Sequence, residues 1–195
     1  MDEIKLIKYE HGQLQRVRNA IAITNKLLQT NSKLEEAIDT EKNANYYFDQ
    51  GREKSYSKKF VEAILDYDKA IHIDPNYSFA FEKRGLAKSD LGDYEGAILD
   101  YNKSIETGGV PPFYWVYILR GIAEINLGRL EEAIIDFNKA TEIEPDHPHP
   151  YNHRGYVKEK LGKIKEAKLD YEKAIELDPS YKDAKENLLR LKSKI

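Results

Sequence analysis

Along most of the chain, apolar and small residues fall at intervals of three and four, the spacing that puts them on one face of a helix. The stripe is clearest in Ala63, Tyr67 and Ala70. It returns as Ala97, Tyr101 and Ser104, as Ala133, Phe137 and Ala140, and as Ala167, Tyr171 and Ala174. A second set precedes each stripe, with an aromatic residue four positions before a glycine: Tyr47 and Gly51, Phe81 and Gly85, Tyr117 and Gly121, Tyr151 and Gly155. The four glycines are 34, 36 and 34 residues apart, and each stripe's first alanine follows its glycine by twelve. Each unit therefore predicts two antiparallel helices. Leu91-Gly92-Asp93, Leu127-Gly128-Arg129 and Leu161-Gly162-Lys163 mark the turns between them, where glycine suits a helix end. Asp74-Pro75, Glu144-Pro145 and Asp178-Pro179 stop the second helix, because the residue before proline is pushed out of the α region. Glycine inside a helix costs roughly 1 kcal/mol against alanine. Its return in every unit predicts close approach of the partner helix backbone.

This pattern resembles the tetratricopeptide-repeat (TPR) family. The family unit of about 34 residues carries a large residue at position 4, glycine or alanine at 8, alanine at 20, an aromatic at 24, alanine at 27 and proline at 32. In that register the units span 44–77, 78–113, 114–147 and 148–181, opening at Ala44, Ser78, Tyr114 and Pro148. The resemblance implies an all-α fold: a right-handed superhelical solenoid of helical hairpins, with the first helix of each unit on the concave side. Arg84, Arg120 and Arg154 stand just before their glycines, and Asp100, Asp136 and Asp170 follow sixteen residues later. Gln50 and Asp66 hold the matching positions in the first unit. Repetition of the Arg–Asp pair predicts a structural salt bridge between paired helices, not catalysis.

Two features depart from the period. The junction Thr107-Gly108-Gly109-Val110-Pro111-Pro112-Phe113 is two residues longer than the period allows, with its proline late, and predicts a splayed joint or an exposed apolar loop. The first unit has Ser57-Lys58 where the others have Leu-Gly, as suits an atypical terminal repeat. Beyond Pro179, residues 182–195 read as a helix with Ala184, Leu188 and Leu191 on one side and lysines on the other. A solenoid needs such a polar-backed helix to cover its last open face. Residues 1–43 lie outside the repeat. Helix is expected from Ala20 onward, broken at Asn31-Ser32, where Ser32-Lys33-Leu34-Glu35 has the form of a capping box. Leu34-Glu35-Glu36-Ala37-Ile38 echoes Leu130-Glu131-Glu132-Ala133-Ile134 and suggests a truncated half-repeat. Ile7, Leu14, Ile21 and Leu28 recur every seven residues, as in a coiled coil. Residues 4–9 and 14–17 around Glu10-His11-Gly12-Gln13 suit a hairpin equally well.

Composition narrows the function classes. A content of 41% hydrophobic and 33% charged residues belongs to a folded soluble chain, not a disordered or membrane-embedded one. The formal net charge of -3 supplies no basic stripe for nucleic acid. Absence of cysteine excludes disulfides, thiolate metal sites and cysteine nucleophiles. No apolar run approaches a membrane span, and the acidic start Met1-Asp2-Glu3-Ile4-Lys5 is unlike a secretory signal, so a cytoplasmic location is expected. There is no glycine-rich phosphate loop, no paired-histidine motif with a nearby glutamate and no serine elbow, so neither catalysis nor a cofactor is expected. His149 and His153 lie four apart, a spacing that admits a transition metal, but a stable site wants three or four ligands. With Pro148 and Pro150 interleaved, the segment reads as a turn into the fourth unit, with hydrogen bonding to a bound peptide preferred over metal.

The resemblance assigns positions 2, 5, 6, 9, 12 and 13 of each unit to the concave groove. In the third unit these are Trp115, Ile118, Leu119, Ile122, Ile125 and Asn126, five of them apolar. Phe79 and Leu86 in the second unit and Tyr156 in the fourth extend the patch, with Asn152 and His153 beside it. An exposed apolar patch of that size marks an interaction surface, and tryptophan is enriched at binding hot spots. TPR domains that hold chaperone C-terminal tails carry lysine, asparagine and arginine at set groove positions. The first three units offer Phe48, Arg52, Lys83, Trp115 and Leu119 there, and the next register offers Glu82, Leu86, Leu119, His149 and His153. Neither fits, so such a tail is not the expected partner. The expected function is a non-catalytic protein–protein interaction scaffold or adaptor, taking a peptide or helix with an apolar segment. The alternative is a self-associating structural protein or an autoinhibited regulator, in which residues 4–28 mediate oligomers or cover the groove.

Overall fold

A computed structural model describes residues 18–30, 43–108 and 113–193. The chain divides into two compact units, Met1–Asn43 and Ala44–Ile195. In the first, helix α1 spans 18–30, and every residue of it is exposed. The heptad and hairpin readings before residue 18, the capping box and half-repeat within 31–42, and Gly109 to Pro112 of the long junction lie outside the described residues.

The second unit is a run of four helical hairpins and a closing helix. The hairpins are α2 (Ala44–Tyr56) with α3 (Phe60–Ile73), α4 (Ser78–Asp90) with α5 (Tyr94–Thr107), α6 (Tyr114–Asn126) with α7 (Leu130–Ile143), and α8 (Pro148–Lys160) with α9 (Ile164–Leu177). Helix α10 (Lys182–Lys192) follows. Gly92, Gly128 and Gly162 take positive φ at the turns, at 83°, 76° and 74°, and Lys58 occupies the same left-handed position in the first hairpin at 58°. The first helices all open at the residues that the repeat register predicts.

Stacking follows one rule. Each first helix packs on its own second helix, and each second helix packs on the next first helix. Successive first helices also touch, α2 on α4, α4 on α6, α6 on α8 and α8 on α10, whereas no contact joins one second helix to the next. A stack that is close along one edge and open along the other is curved, so the first helices line the inner wall. Helix α10 takes the place of a fifth first helix, burying Ala184 and Leu191, with Leu191 packed among Ala167 and Tyr171. That covers apolar surface the last hairpin would otherwise leave open.

Inside each hairpin the repeated glycine makes room for the repeated aromatic. A Cβ at Gly51 would lie 2.6 Å from the Tyr67 ring, at Gly85 2.8 Å from Tyr101, at Gly121 2.9 Å from Phe137 and at Gly155 2.9 Å from Tyr171. The expected close approach is therefore chiefly to a ring, with backbone second: the Ala97 and Ala167 carbonyl oxygens lie at 3.2 Å. The four rings are at most 1% exposed, and burying an aromatic of that size is among the largest stabilising contributions a residue makes.

The predicted Arg–Asp pairs form and are bidentate. Arg84 donates to Asp100 through Nε at 2.9 Å and Nη2 at 2.5 Å, Arg120 to Asp136 at 2.8 and 2.6 Å, and Arg154 to Asp170 at 2.9 and 2.6 Å. The remaining Nη1 of each reaches back to the preceding hairpin, to Asp68, Asn102 and Asn138. One guanidinium thus ties three helices. A lysine three residues after the glycine adds to the same carboxylate: Lys88 to Asp100 at 2.8 Å and Lys158 to Asp170 at 2.9 Å. In the first hairpin, which lacks the arginine, Lys54 holds Asp66 alone at 2.5 Å. The third hairpin breaks this rule. Glu124 stands where the others have lysine, and its buried Oε2 has no hydrogen-bond partner.

Candidate functional site

The inner wall is built from one face of α2, α4, α6 and α8, and the first turns of α10 continue it. Of the residues assigned to the groove from sequence, Phe79 and Trp115 are 43% and 42% exposed. Leu86, Leu119, Ile122, His153 and Tyr156 are half-buried. Two are not wall surface. Ile118 is 2% exposed and sits in the core with Tyr117, Phe137 and Val157, and Asn152 is 5% exposed. Both stand at the fifth position of their unit, as does buried Glu82. The reason is the stacking just described: the fifth position turns toward the next hairpin, whose packing closes over it. The Asn152 amide is used internally, donating to the Tyr181 hydroxyl at 3.3 Å and accepting from Asn187 Nδ2 at 3.0 Å. Its bonds hold α10 onto α8.

Two of the clefts along the wall bring apolar and charged side chains together. One, of about 180 Å³, lies between α2 and α4 and is lined by Arg52, Tyr56, Phe60, Lys83, Leu86 and Asp90. Its cations are already engaged, Arg52 with Asp49 at 3.2 Å and Lys83 with Glu82 at 2.7 Å. The other, of about 420 Å³, lies among α6, α8 and α10, with Ile122, Ile125, His153 and Tyr156 on one side and Asp183 and Glu186 on the other. The two carboxylates were missed from sequence, although the signal was present. Extending the 34-residue register beyond Pro148 places Asp183 at the second position, a groove position, and Glu186 at the fifth of a fifth unit, where among the described residues no later helix packs over it and it stays exposed.

The histidines do not converge. The His153 ring stacks on Phe137 with centroids 5.5 Å apart, and burial, then the nearby His149, lower its pKa to about 4, so it is neutral at pH 7. His147 packs against Tyr114 and His149, and burial lowers its pKa too. His149 Nδ1 lies 3.1 Å from the Tyr181 hydroxyl. Among the described residues no group of three or more His, Cys, Asp or Glu is placed to hold a metal ion. Among them also, no helix is long and apolar enough to cross a membrane. What the wall offers is apolar contact area with charge at its edges, the anatomy of a binding surface.

Comparison with known proteins agrees with this architecture. Family models match three stretches: tetratricopeptide repeat at residues 80–107, TPR repeat at 121–162 and tetratricopeptide repeat at 150–181. The heat-shock protein cognate co-chaperone sgt12 of Aspergillus fumigatus is 42% identical over 55 residues, 28% of this chain and 16% of that protein. The small glutamine-rich tetratricopeptide repeat-containing protein 2 of Saccharomyces cerevisiae is 34% identical over 67 residues, 34% of this chain and 19% of that protein. The matches thus span under a fifth of either relative's length. Among solved structures, the crystal structure of MamA superposes with a TM-score of 0.70 at 24% identity, covering 77% of this chain and 81% of that one. Repeat period, hairpin stacking and family matches agree that the chain carries tetratricopeptide repeats, matched at residues 80–107 and 121–181.

Proposed function

We propose that this protein is a cytoplasmic, non-catalytic adaptor that holds an apolar segment of another polypeptide against its inner wall. Trp115, Leu119 and Ile122 form the centre, with Phe79, Leu86, His153 and Tyr156 around them. The observation that carries this is the exposure of Trp115 and Phe79 on first helices, where each keeps about two-fifths of its surface open to solvent. Large aromatics left exposed on a rigid scaffold are what binding hot spots consist of. A helix laid in a groove, or an extended peptide, suits a curved wall of this kind. Of the two relatives, one is named as a tetratricopeptide repeat-containing protein and the other as a co-chaperone. A chaperone's acidic tail is nevertheless not the occupant proposed here. Phe48, Trp115 and Leu119 stand where a clamp for its carboxylates needs polar and basic groups, and Arg52 and Lys83 are neutralised by their own neighbours. Nucleic acid and membrane are not proposed as partners either, given the net charge of -3 and the lack of a spanning helix among the described residues.

The test is capture from a lysate by the wild type beside Trp115→Ala, with bound proteins identified by mass spectrometry. Proteins lost from the variant, with an unchanged unfolding midpoint, support the wall as the site, and truncating such an anchor weakens binding by about 2 kcal/mol or more. Equal capture by both proteins places the binding elsewhere.

A second reading rests on α1, where Ile21, Ile23, Leu27 and Leu28 are each more than half exposed. In it, residues 4–28 form oligomers or cover the wall. Sedimentation of the full chain against residues 44–195, which form a compact unit of their own, separates the two. Only an oligomer held by the N-terminal segment loses mass on truncation beyond that of the segment itself.

A further inference from the structure

The cleft among α6, α8 and α10 has a chemical asymmetry that apolar binding alone does not explain. One side is Ile122, Ile125 and Tyr156, and the facing edge carries Asp183 and Glu186 from α10. The two acidic residues are three apart on one helix, so they share a face and repel one another. Among the described residues neither forms an ion pair, although α10 is rich in lysine and arginine. Of the cations around the cleft, Arg190 donates to Glu159 at 2.8 Å and Lys160 lies over the Tyr156 ring at 5.3 Å, while Lys182, four residues before Glu186 on α10, forms no ion pair with it. His153, on the same cleft, is kept neutral at pH 7 by burial and adds no positive charge. Asp183 by itself has a sufficient local explanation, since an acidic side chain in a first helical turn complements the helix dipole. Glu186, one turn further on, does not share that explanation.

We infer that the cleft among α6, α8 and α10 receives a lysine or arginine side chain of the partner segment, its aliphatic stem on Ile122, Ile125 and Tyr156 and its cationic head between Asp183 and Glu186. The inference rests on the groove reading above and adds the chemistry and direction of the occupant. Long basic side chains bury their methylene stems on apolar surface while keeping the head at a polar rim. Arginine suits the site especially well, because its planar guanidinium engages two carboxylates at once and lies favourably on a tyrosine ring. The partner segment would then be apolar where it passes Trp115, Leu119 and Ile122, and basic where it reaches α10.

A displayed library of random dodecapeptides, selected on the immobilised full chain, tests this. The expected peptides carry lysine or arginine beside aliphatic residues. When synthesised, they bind the double variant Asp183→Asn with Glu186→Gln about tenfold or more weaker than the wild type, as loss of a charge-assisted contact predicts. Selection on Asp183→Lys with Glu186→Lys is expected to exchange the basic residue for an acidic one at the same place in the peptide. An unchanged unfolding midpoint checks that each variant is folded. Peptides that lose affinity for Trp115→Ala but lack a basic residue, or are indifferent to the Asn/Gln pair, overturn this inference and leave the groove reading standing. A library that yields no binder, or only binders indifferent to Trp115→Ala, overturns both.

Discussion

Replacing Glu124 with glutamine should change how the protein's stability depends on pH. In three hairpins a lysine three residues after the glycine faces the structural aspartate, and in the third Glu124 faces Asp136 instead. Burial first, and the Asp136 carboxylate second, raise the Glu124 pKa from its ordinary 4.5 to about 7, against the opposing pull of Arg120. A carboxyl whose folded pKa is raised binds its proton more tightly in the folded state, so its contribution favours folding at low pH. That contribution is lost as pH climbs from about 4.5 through 7. At about 1.4 kcal/mol per pH unit the interval sets a ceiling of roughly 3 kcal/mol. Because the side chain is only partly buried, solvent screening reduces this to about 1–2 kcal/mol. Glutamine keeps the size and removes the titration. Urea unfolding of both proteins at pH 5, 6, 7 and 8, followed by circular dichroism, should show Glu124→Gln gaining about 1–2 kcal/mol on the wild type between the ends of that range. Glu124→Lys, which restores the ion pair of the other hairpins, should gain at least as much at pH 8. A stability difference that stays constant from pH 5 to 8 would refute the reasoning, since it would mean that Glu124 titrates alike in the folded and unfolded chains.

Two further perturbations address the hairpins themselves. Gly85→Ala adds a methyl 2.8 Å from the buried Tyr101 ring. Overpacking should outweigh the helix-propensity gain of about 1 kcal/mol and leave the variant about 1–2 kcal/mol less stable in urea, whereas a rise in midpoint would show that the ring moves aside freely. Lys58→Gly relieves the left-handed backbone at φ 58° in the first turn. A gain of about 0.5–1 kcal/mol in the same assay is expected, and a loss would mean that the lysine side chain makes a contribution larger than its backbone strain.

Much of this molecule follows from periodicity alone. A helix repeats every 3.6 residues whatever surrounds it, so Ala63, Tyr67 and Ala70 and their equivalents had to share a buried face, and glycine followed by an aromatic sixteen residues later had to join two helices of one hairpin. The Arg–Asp staples were legible for the same reason, because a charged pair returning at fixed spacing in three units is architecture. The extent of the exposed wall was not legible. Whether Ile118 and Asn152 face solvent or the next hairpin depends on how neighbouring hairpins rotate against each other, a property of contacts between units. The same holds for the Glu124 carboxyl, whose proton affinity comes from burial and from Asp136 across the helix pair, neither of which a spacing rule contains. Local sequence determined the hairpins and their stapling, because those rest on intervals within one unit. Only the packed stack decided which apolar residues remain open and where α10 sets its two carboxylates, because burial is a property of what lies opposite a side chain.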